Sequence, residues 1–283
     1  MIKGLTNAGI DFVGSLKDFV QLAAANGFGS VDADGGQIER WIAEEGAEQV
    51  NAYLAEKGVI IGAIGLYPDW RGTDAKFQAG LPRLVNDAAA AAAVGCKSCC
   101  TYILPATDLD SAHFMALAVS RLRTCARLLG AYGISLALEF VGPHHLRTAW
   151  KNPFIWNTEQ TLALIDAIGE PNVGLLYDSF HWYTNGGTLD DILKLRADQI
   201  VHAHLNDARD VPVEDVLDND RLFPGDGVID LAAFLQGLQQ IGYKGPVAQE
   251  LLTREPIPGT PQEKAARSGE AYRSVYRAAG LDA

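Results

Sequence analysis

The feature that most constrains this chain is an alternation running from end to end, in which short runs rich in β-branched residues are each followed by a longer stretch with apolar residues at helical spacing. Eight such runs are readable, at 3–7, 30–33, 60–66, 98–103, 135–140, 173–178, 200–206 and 246–251. Among the stretches between them, 16–25, 38–57, 76–94, 112–132 and 231–241 carry clear helical periodicity. Gly27, Gly58, Gly95, Gly133 and Gly242 each stand between a helical stretch and the next strand, where a left-handed residue ends a helix. Repeated strand–helix units call for a parallel sheet. Eight of them in 283 residues, close to the ~250 usual for a closed eight-stranded barrel, predict the α/β class and a (β/α)8 barrel as a single domain over 1–283. A doubly wound open sheet alternates in the same way, but it usually shows a glycine-rich phosphate turn after an early strand, and none is present.

Composition narrows the function. The chain is 48% hydrophobic, enough for a large core, and no apolar run is long enough to span a bilayer. The opening MIKGLTNAGIDF lacks the basic and apolar regions of a signal peptide, so a cytoplasmic location is expected, with no membrane partner. Net charge is −12 with scattered Lys and Arg, which argues against a nucleic-acid partner. Cys96, Cys99, Cys100 and Cys125 are too few for a disulfide scaffold, and no second pair completes a zinc knuckle around Cys96 and Cys99. They read as reduced thiols filling core space.

The chemistry gathers late in the chain. Four successive strands end in a potential metal ligand: LALEF supplies Glu139, LLYDSFH Asp178, VHAHLND His204 and VAQEL Glu250. A charge inside an apolar strand is costly unless it is paired or bound to a cation, and no Lys or Arg stands beside these four in the sequence. Because barrel strands converge their C-terminal ends on one point, the set predicts one divalent metal ion. Three carboxylates and an imidazole suit Mn2+, Mg2+ or Co2+ and tolerate Zn2+. Four protein ligands would leave positions for two substrate oxygens, the arrangement that polarises a hydroxy ketone. His181, one turn beyond Asp178, reads as a substrate contact or a further ligand and equally as a residue orienting a ligand, and His202 reads as structural. Asp207 is a candidate for orienting a ligand, and Arg209 for binding a substrate oxygen. The long aperiodic segments 67–74, 141–158 and 207–229 follow strands and would form the catalytic face. They hold Tyr67, Trp70, His144, His145, Arg147, Trp150 and Trp156, and Trp70 is taken as a substrate contact.

Three segments carry a resemblance: ALEFVG at 137–142, NVGLLYDSFH at 172–181 and DVPVEDVLDNDRLFPGDGVIDLAAFLQGLQQIGY at 210–243. They are similar to the xylose-isomerase-like TIM-barrel superfamily of sugar isomerases and epimerases, and within it to the inosose (2-keto-myo-inositol) isomerases. The resemblance runs through the C-terminal half. It implies that Glu139, Asp178, His204 and Glu250 take the family's ligand positions, that Glu139 and Glu250 also act as general base and acid through a cis-enediolate, and that His181 binds substrate. It further implies a keto-sugar or inosose substrate, a role in inositol catabolism and a homo-oligomer. The loop after Glu139 and the YPDWRG segment depart from the family pattern.

Three other readings share this pattern. A ketose 3-epimerase uses the same metal and carboxylate pair. An abasic-site-endonuclease-like hydrolase needs further His ligands, where this chain has Leu66-Tyr67 after the third strand and Gly227-Val228 after Asp226. A non-catalytic sugar-binding subunit would keep the fold without the reaction.

Overall fold

The computed structural model describes residues 1–11 and 13–281; positions 12, 282 and 283 of the expected 1–283 domain lie outside the described residues. Eight parallel strands close into a barrel: β1 (Ile2–Leu5), β2 (Ser30–Ala33), β3 (Ile60–Gly65), β4 (Ser98–Ile103), β5 (Ser135–Phe140), β6 (Val173–Asp178), β7 (Ile200–Leu205) and β8 (Pro246–Gln249). Each strand pairs with its neighbour in sequence, and β1 closes the ring on β8. All eight expected strands are present; 30–33, 98–103, 135–140 and 173–178 have the expected bounds, and the other four end one or two residues earlier, the first also starting one residue earlier.

Strand alternation divides the residues between two environments. On β5, Leu136, Leu138 and Phe140 are essentially fully buried hydrophobics of the main core, while Glu139 takes the opposite, inward face. Tyr177 of β6 stacks on Phe234 of the helix Leu231–Gln240, ring centroids 5.7 Å apart, which fixes Asp178, next along, on the inside. On β7, His202 and His204 share the inward face. The principal core therefore lies between barrel and helices, and the barrel's own interior carries the polar groups.

Helix starts follow local chemistry. Ser15, Thr73, Asp110, Asn157 and Thr260 each accept hydrogen bonds from backbone N–H groups of the first helical turn, which otherwise lack partners. One expected helix is divided. The stretch 38–57 belongs to α1 (Gly35–Glu45) and α2 (Ala47–Lys57), separated at Gly46, whose φ of 88° and ψ of 145° leave helical space. Periodicity continues across the break, which is why pattern alone joined the two.

The long loops are partly structured. Within 141–158, a helical turn (His144–Arg147) precedes Asn152–Pro153, which pairs antiparallel with Ala106–Thr107 beyond β4. Arg147 fastens the loop by donating to the carbonyls of Gly142 and Thr184 and to Asn185 Oδ1. Cys96, Cys99 and Cys125 are buried free thiols and Cys100 is half-buried; burial pushes all four thiols up. No helix among the described residues is long and apolar enough to cross a membrane.

Candidate active site

Glu139, Asp178, His204 and Glu250 converge at the C-terminal mouth of the barrel, each offering a ligand atom within 4.8 Å of the others. The parallel ladder brings them there. Asp178 and His204 are register partners on β6 and β7, Glu139 is the penultimate residue of β5, and Glu250 immediately follows β8. His204 Nδ1 is the common point: it lies 3.4 Å from Glu139 Oε1, 3.5 Å from Glu250 Oε2 and 3.8 Å from Asp178 Oδ2.

This cluster passes a direct test of fitness for a cation. Glu139 Oε1 and His204 Nδ1 are buried and have no hydrogen-bond partner among the described residues, although both face the other ligand atoms. Buried polar atoms are rarely left so. A divalent ion between them would satisfy both, and the donor set of three carboxylate groups and one imidazole is one that such ions accept.

A cation the sequence did not announce is also present. Arg221, on the loop after β7, donates from Nη1 to Glu250 Oε2 at 2.7 Å and to Asp178 Oδ2 at 3.1 Å, and from Nη2 to Asp218 Oδ1 at 2.9 Å. The expectation that the strand-end carboxylates lack a matching arginine is therefore corrected: the partner comes from 29 residues before Glu250 along the chain. Even so, the Arg221 charge is outnumbered by the carboxylates of Glu139, Asp178, Asp218 and Glu250, which leaves the site anionic.

Burial and charge act unequally on the two glutamates. Burial pushes the Glu139 carboxyl above the usual range, with His204 opposing in part. Burial acts in the same direction on Glu250, but His204 and Arg221 outweigh it and hold that carboxyl well below the usual range. For His204, burial disfavours the charged ring, and Glu250, Asp32 and Glu139 more than compensate, so its pKa is raised well above the ordinary histidine value.

His181 stands on the next turn, 1% exposed. The Gly142 backbone N–H donates to its Nδ1 at 3.3 Å, and its Nε2 lies 3.4 Å from Arg221 Nη2 and 4.0 Å from Glu139 Oε1. Two cavities flank the cluster and share Tyr102, Glu139 and Glu250. One, of about 420 Å³, is bordered by Asn7, Asp32, Asp34, Gln37 and Thr101; the other, of about 450 Å³, by His145, His181, Asp218 and Arg221.

The family model described as "Xylose isomerase-like TIM barrel" matches residues 20–274. The chain belongs to that family. A solved xylose isomerase domain protein from Alicyclobacillus acidocaldarius superposes on this family member with a TM-score of 0.89 at 34% identity, covering 99% of each chain. The solved IOLI protein with a bound zinc atom superposes with a TM-score of 0.80 at 21% identity, over 97% of this chain and 98% of that one, and shows the shared fold. Inosose isomerase from Bacillus velezensis is 36% identical over 144 residues, 51% of this chain and 49% of the relative. The chain thus aligns with about half the length of that relative.

Other anticipated site residues of this xylose isomerase-like barrel lie elsewhere. Trp70 is 1% exposed, donates from Nε1 to Thr101 Oγ1 at 3.0 Å and stacks on Phe114, so its indole packs the loop and does not border either cavity of the cluster. Arg209 is half exposed and pairs with Asp220 at 2.8 Å, in a separate cleft beside Arg254 and Arg267. Asp207 points away from the cluster and accepts from the backbone N–H groups of Ala208, Gly225, Gly227 and Ile229. It pins the loop that carries Arg221. Sequence reasoning passed over Arg221 and Asp32. The available signal for the first was an arginine in the same aperiodic segment as Arg209; for the second, an acidic residue at the inward position of an apolar strand, the criterion already applied to the later strands.

Proposed function

We propose that this protein is a divalent-metal-dependent isomerase or epimerase of an uncharged polyhydroxy ketone, with an inosose as the first substrate to test, and that residues 1–283 act as one barrel domain. The observation that carries the reading is the convergence of Glu139, Asp178, His204 and Glu250 at the barrel mouth, with Glu139 Oε1 and His204 Nδ1 buried and without hydrogen-bond partners among the described residues. Membership of the xylose isomerase-like family and the 36% identity to an inosose isomerase support it.

In this proposal the four residues hold one divalent ion, of Mn2+, Mg2+, Co2+ or Zn2+, which supplies Lewis-acid stabilisation of negative charge developing on the substrate's adjacent oxygens. Glu139 and Glu250 move the proton. One takes it from the carbon beside the carbonyl and the other returns a proton at the neighbouring carbon. Their opposite pKa displacements suit a pair of carboxyl groups that must divide base and acid roles. A carboxylate is a weak base toward carbon, so rate must come largely from its position. His181 and the Arg221 guanidinium border the same cavity and would hold a substrate oxygen beside Glu139.

The charge of the lining favours an uncharged substrate. The first cavity is bordered by Asp32, Asp34, Glu139 and Glu250, with no Lys or Arg among its described lining residues. A phosphate or carboxylate there would meet repulsion from these carboxylates with no Lys or Arg side chain to offset it. Hydroxyl groups would find donors and acceptors in Asn7, Gln37 and Thr101.

The test is incubation of metal-reconstituted protein with 2-keto-myo-inositol in D2O, following carbonyl position and deuterium uptake by NMR. Carbonyl migration that EDTA abolishes is expected. Deuterium entry at one carbon without migration would reassign the protein as an epimerase or as an isomerase of another sugar. No exchange with any uncharged keto-sugar, despite metal binding, would overturn the reading.

A further inference from the structure

His204 has two ring nitrogens in contrasting surroundings. Nδ1 faces the carboxylates of Glu139, Asp178 and Glu250, and Nε2 faces the opposite way, 3.7 Å from Asp32 Oδ2. A neutral imidazole carries one proton, and a nitrogen that ligates a metal must be the one without it. With carboxylates gathered at Nδ1, electrostatics draws the proton to that side, where it would block the metal. Something on the Nε2 side must oppose this.

We infer that Asp32 is that group: a positioning residue that holds the His204 proton on Nε2 and so presents the Nδ1 lone pair to the metal. The inference rests on the metal-site reading above and extends it to a residue on β2, on the other side of the barrel interior.

Several observations converge on this role. Asp32 Oδ2 accepts from His202 Nε2 at 2.8 Å, and His202 stands two residues before His204 on the same face of β7. One carboxylate oxygen therefore faces the Nε2 atoms of two imidazoles. The His202 ring is fully buried and its edge meets His204, centroids 5.3 Å apart and planes at 85°, which limits how far the His204 ring can turn. Asp32 Oδ1 has no hydrogen-bond partner among the described residues, so nothing else there competes for this carboxylate's orientation. The neighbouring strand makes room for it: a Cβ at Gly62 would lie 2.7 Å from Asp32 Oδ1 and 2.3 Å from Ser30 Oγ. Only glycine at 62 leaves Asp32 where it is.

The experiment uses the full chain and Zn2+ as probe. Affinity is measured by chelator competition for wild type and Asp32→Asn, and the histidine rings of the zinc-loaded proteins are read by long-range 1H–15N NMR. The expected wild-type result is a His204 ring with its proton on Nε2 and the metal on Nδ1. In Asp32→Asn, zinc affinity should fall about 10–100-fold, the range for loss of a group that orients a ligand, and the His204 Nε2–H signal should shift and exchange faster with water. A merely structural aspartate would lower thermal stability without moving the ring signals. Affinity within twofold of wild type with unmoved His204 signals overturns the role of Asp32 alone. No zinc binding by wild type overturns the metal site itself, and this inference with it. Should Asp32→Asn fail to fold, the wild-type spectrum still decides, because a proton on Nδ1 with metal on Nε2 contradicts the assignment.

Discussion

Replacing Glu139 or Glu250 by glutamine keeps the shape of each side chain and removes its capacity to carry a proton. Either change should lower deuterium exchange into substrate by about 10²–10⁴-fold, the usual contribution of one general acid–base group, and wild-type turnover by either variant would refute the division of labour. Arg221 is a different kind of residue. Its side chain is 1% exposed, and burial disfavours its charge, but Asp178, Glu250 and Asp218 more than compensate and raise its pKa. Arg221→Met should destabilise the metal-free protein by about 3–5 kcal/mol, because it strands buried carboxylates. Added divalent metal should recover part of that loss, and a chemical-denaturation midpoint equal to wild type without metal would refute it. The pH dependence of metal binding follows from His204, whose pKa is raised in the metal-free protein. Below that raised value the metal must displace a proton, so affinity should rise with pH and each binding event should release protons. Calorimetry in buffers of different ionisation enthalpy checks this, and binding without proton release would contradict it. The same shift acts oppositely on stability: the raised His204 pKa favours the folded state fully below the unfolded value near ~6.5 and loses that effect as pH climbs through the folded one.

At the scale of elements, the site depends on how loops are fastened to strand ends. Asp207 is the clearest case, since its two carboxylate oxygens take four backbone N–H groups from the segment that follows β7. Asn in its place can accept at only one side-chain atom. Asp207→Asn should cost about 1–3 kcal/mol for the groups left unsatisfied and raise KM, because the Arg221 loop loses its anchor. Unchanged stability together with unchanged KM would show that the clamp is dispensable. The four strand-end candidate ligands were legible because an ionisable residue inside an apolar strand breaks its pattern. Arg221 and the clamp by Asp207 were not, because loop residues carry no periodicity from which their facing could be read. Trp70 and Arg209 show the same limit from the other side: both have plausible chemistry for a sugar pocket, yet one packs against Phe114 and the other pairs with Asp220.

For the molecule as a whole, a metal ion held as proposed would touch β5, β6 and β7 and the residue after β8 and tie half the barrel together. Saturating metal should raise the melting temperature in a concentration-dependent way, by about 2.7 kcal/mol of added stability at a hundredfold excess over Kd, and EDTA should reverse it; a melting temperature indifferent to Mn2+, Co2+ and Zn2+ would count against the site. What the amino-acid sequence determined by itself was the barrel and its candidate ligands. Both are written in local periodicities, strand and helix spacing for the fold and a charge out of phase with an apolar run for the site, and closure of eight parallel units then brings strand ends together without further instruction. What only the tertiary structure decided was the company those ligands keep. Asp32 comes to His202 across 170 residues of chain and Arg221 to Asp178 across 43. Contacts of that separation depend on three-dimensional closure and on the path of a loop, and no spacing rule along the chain encodes either.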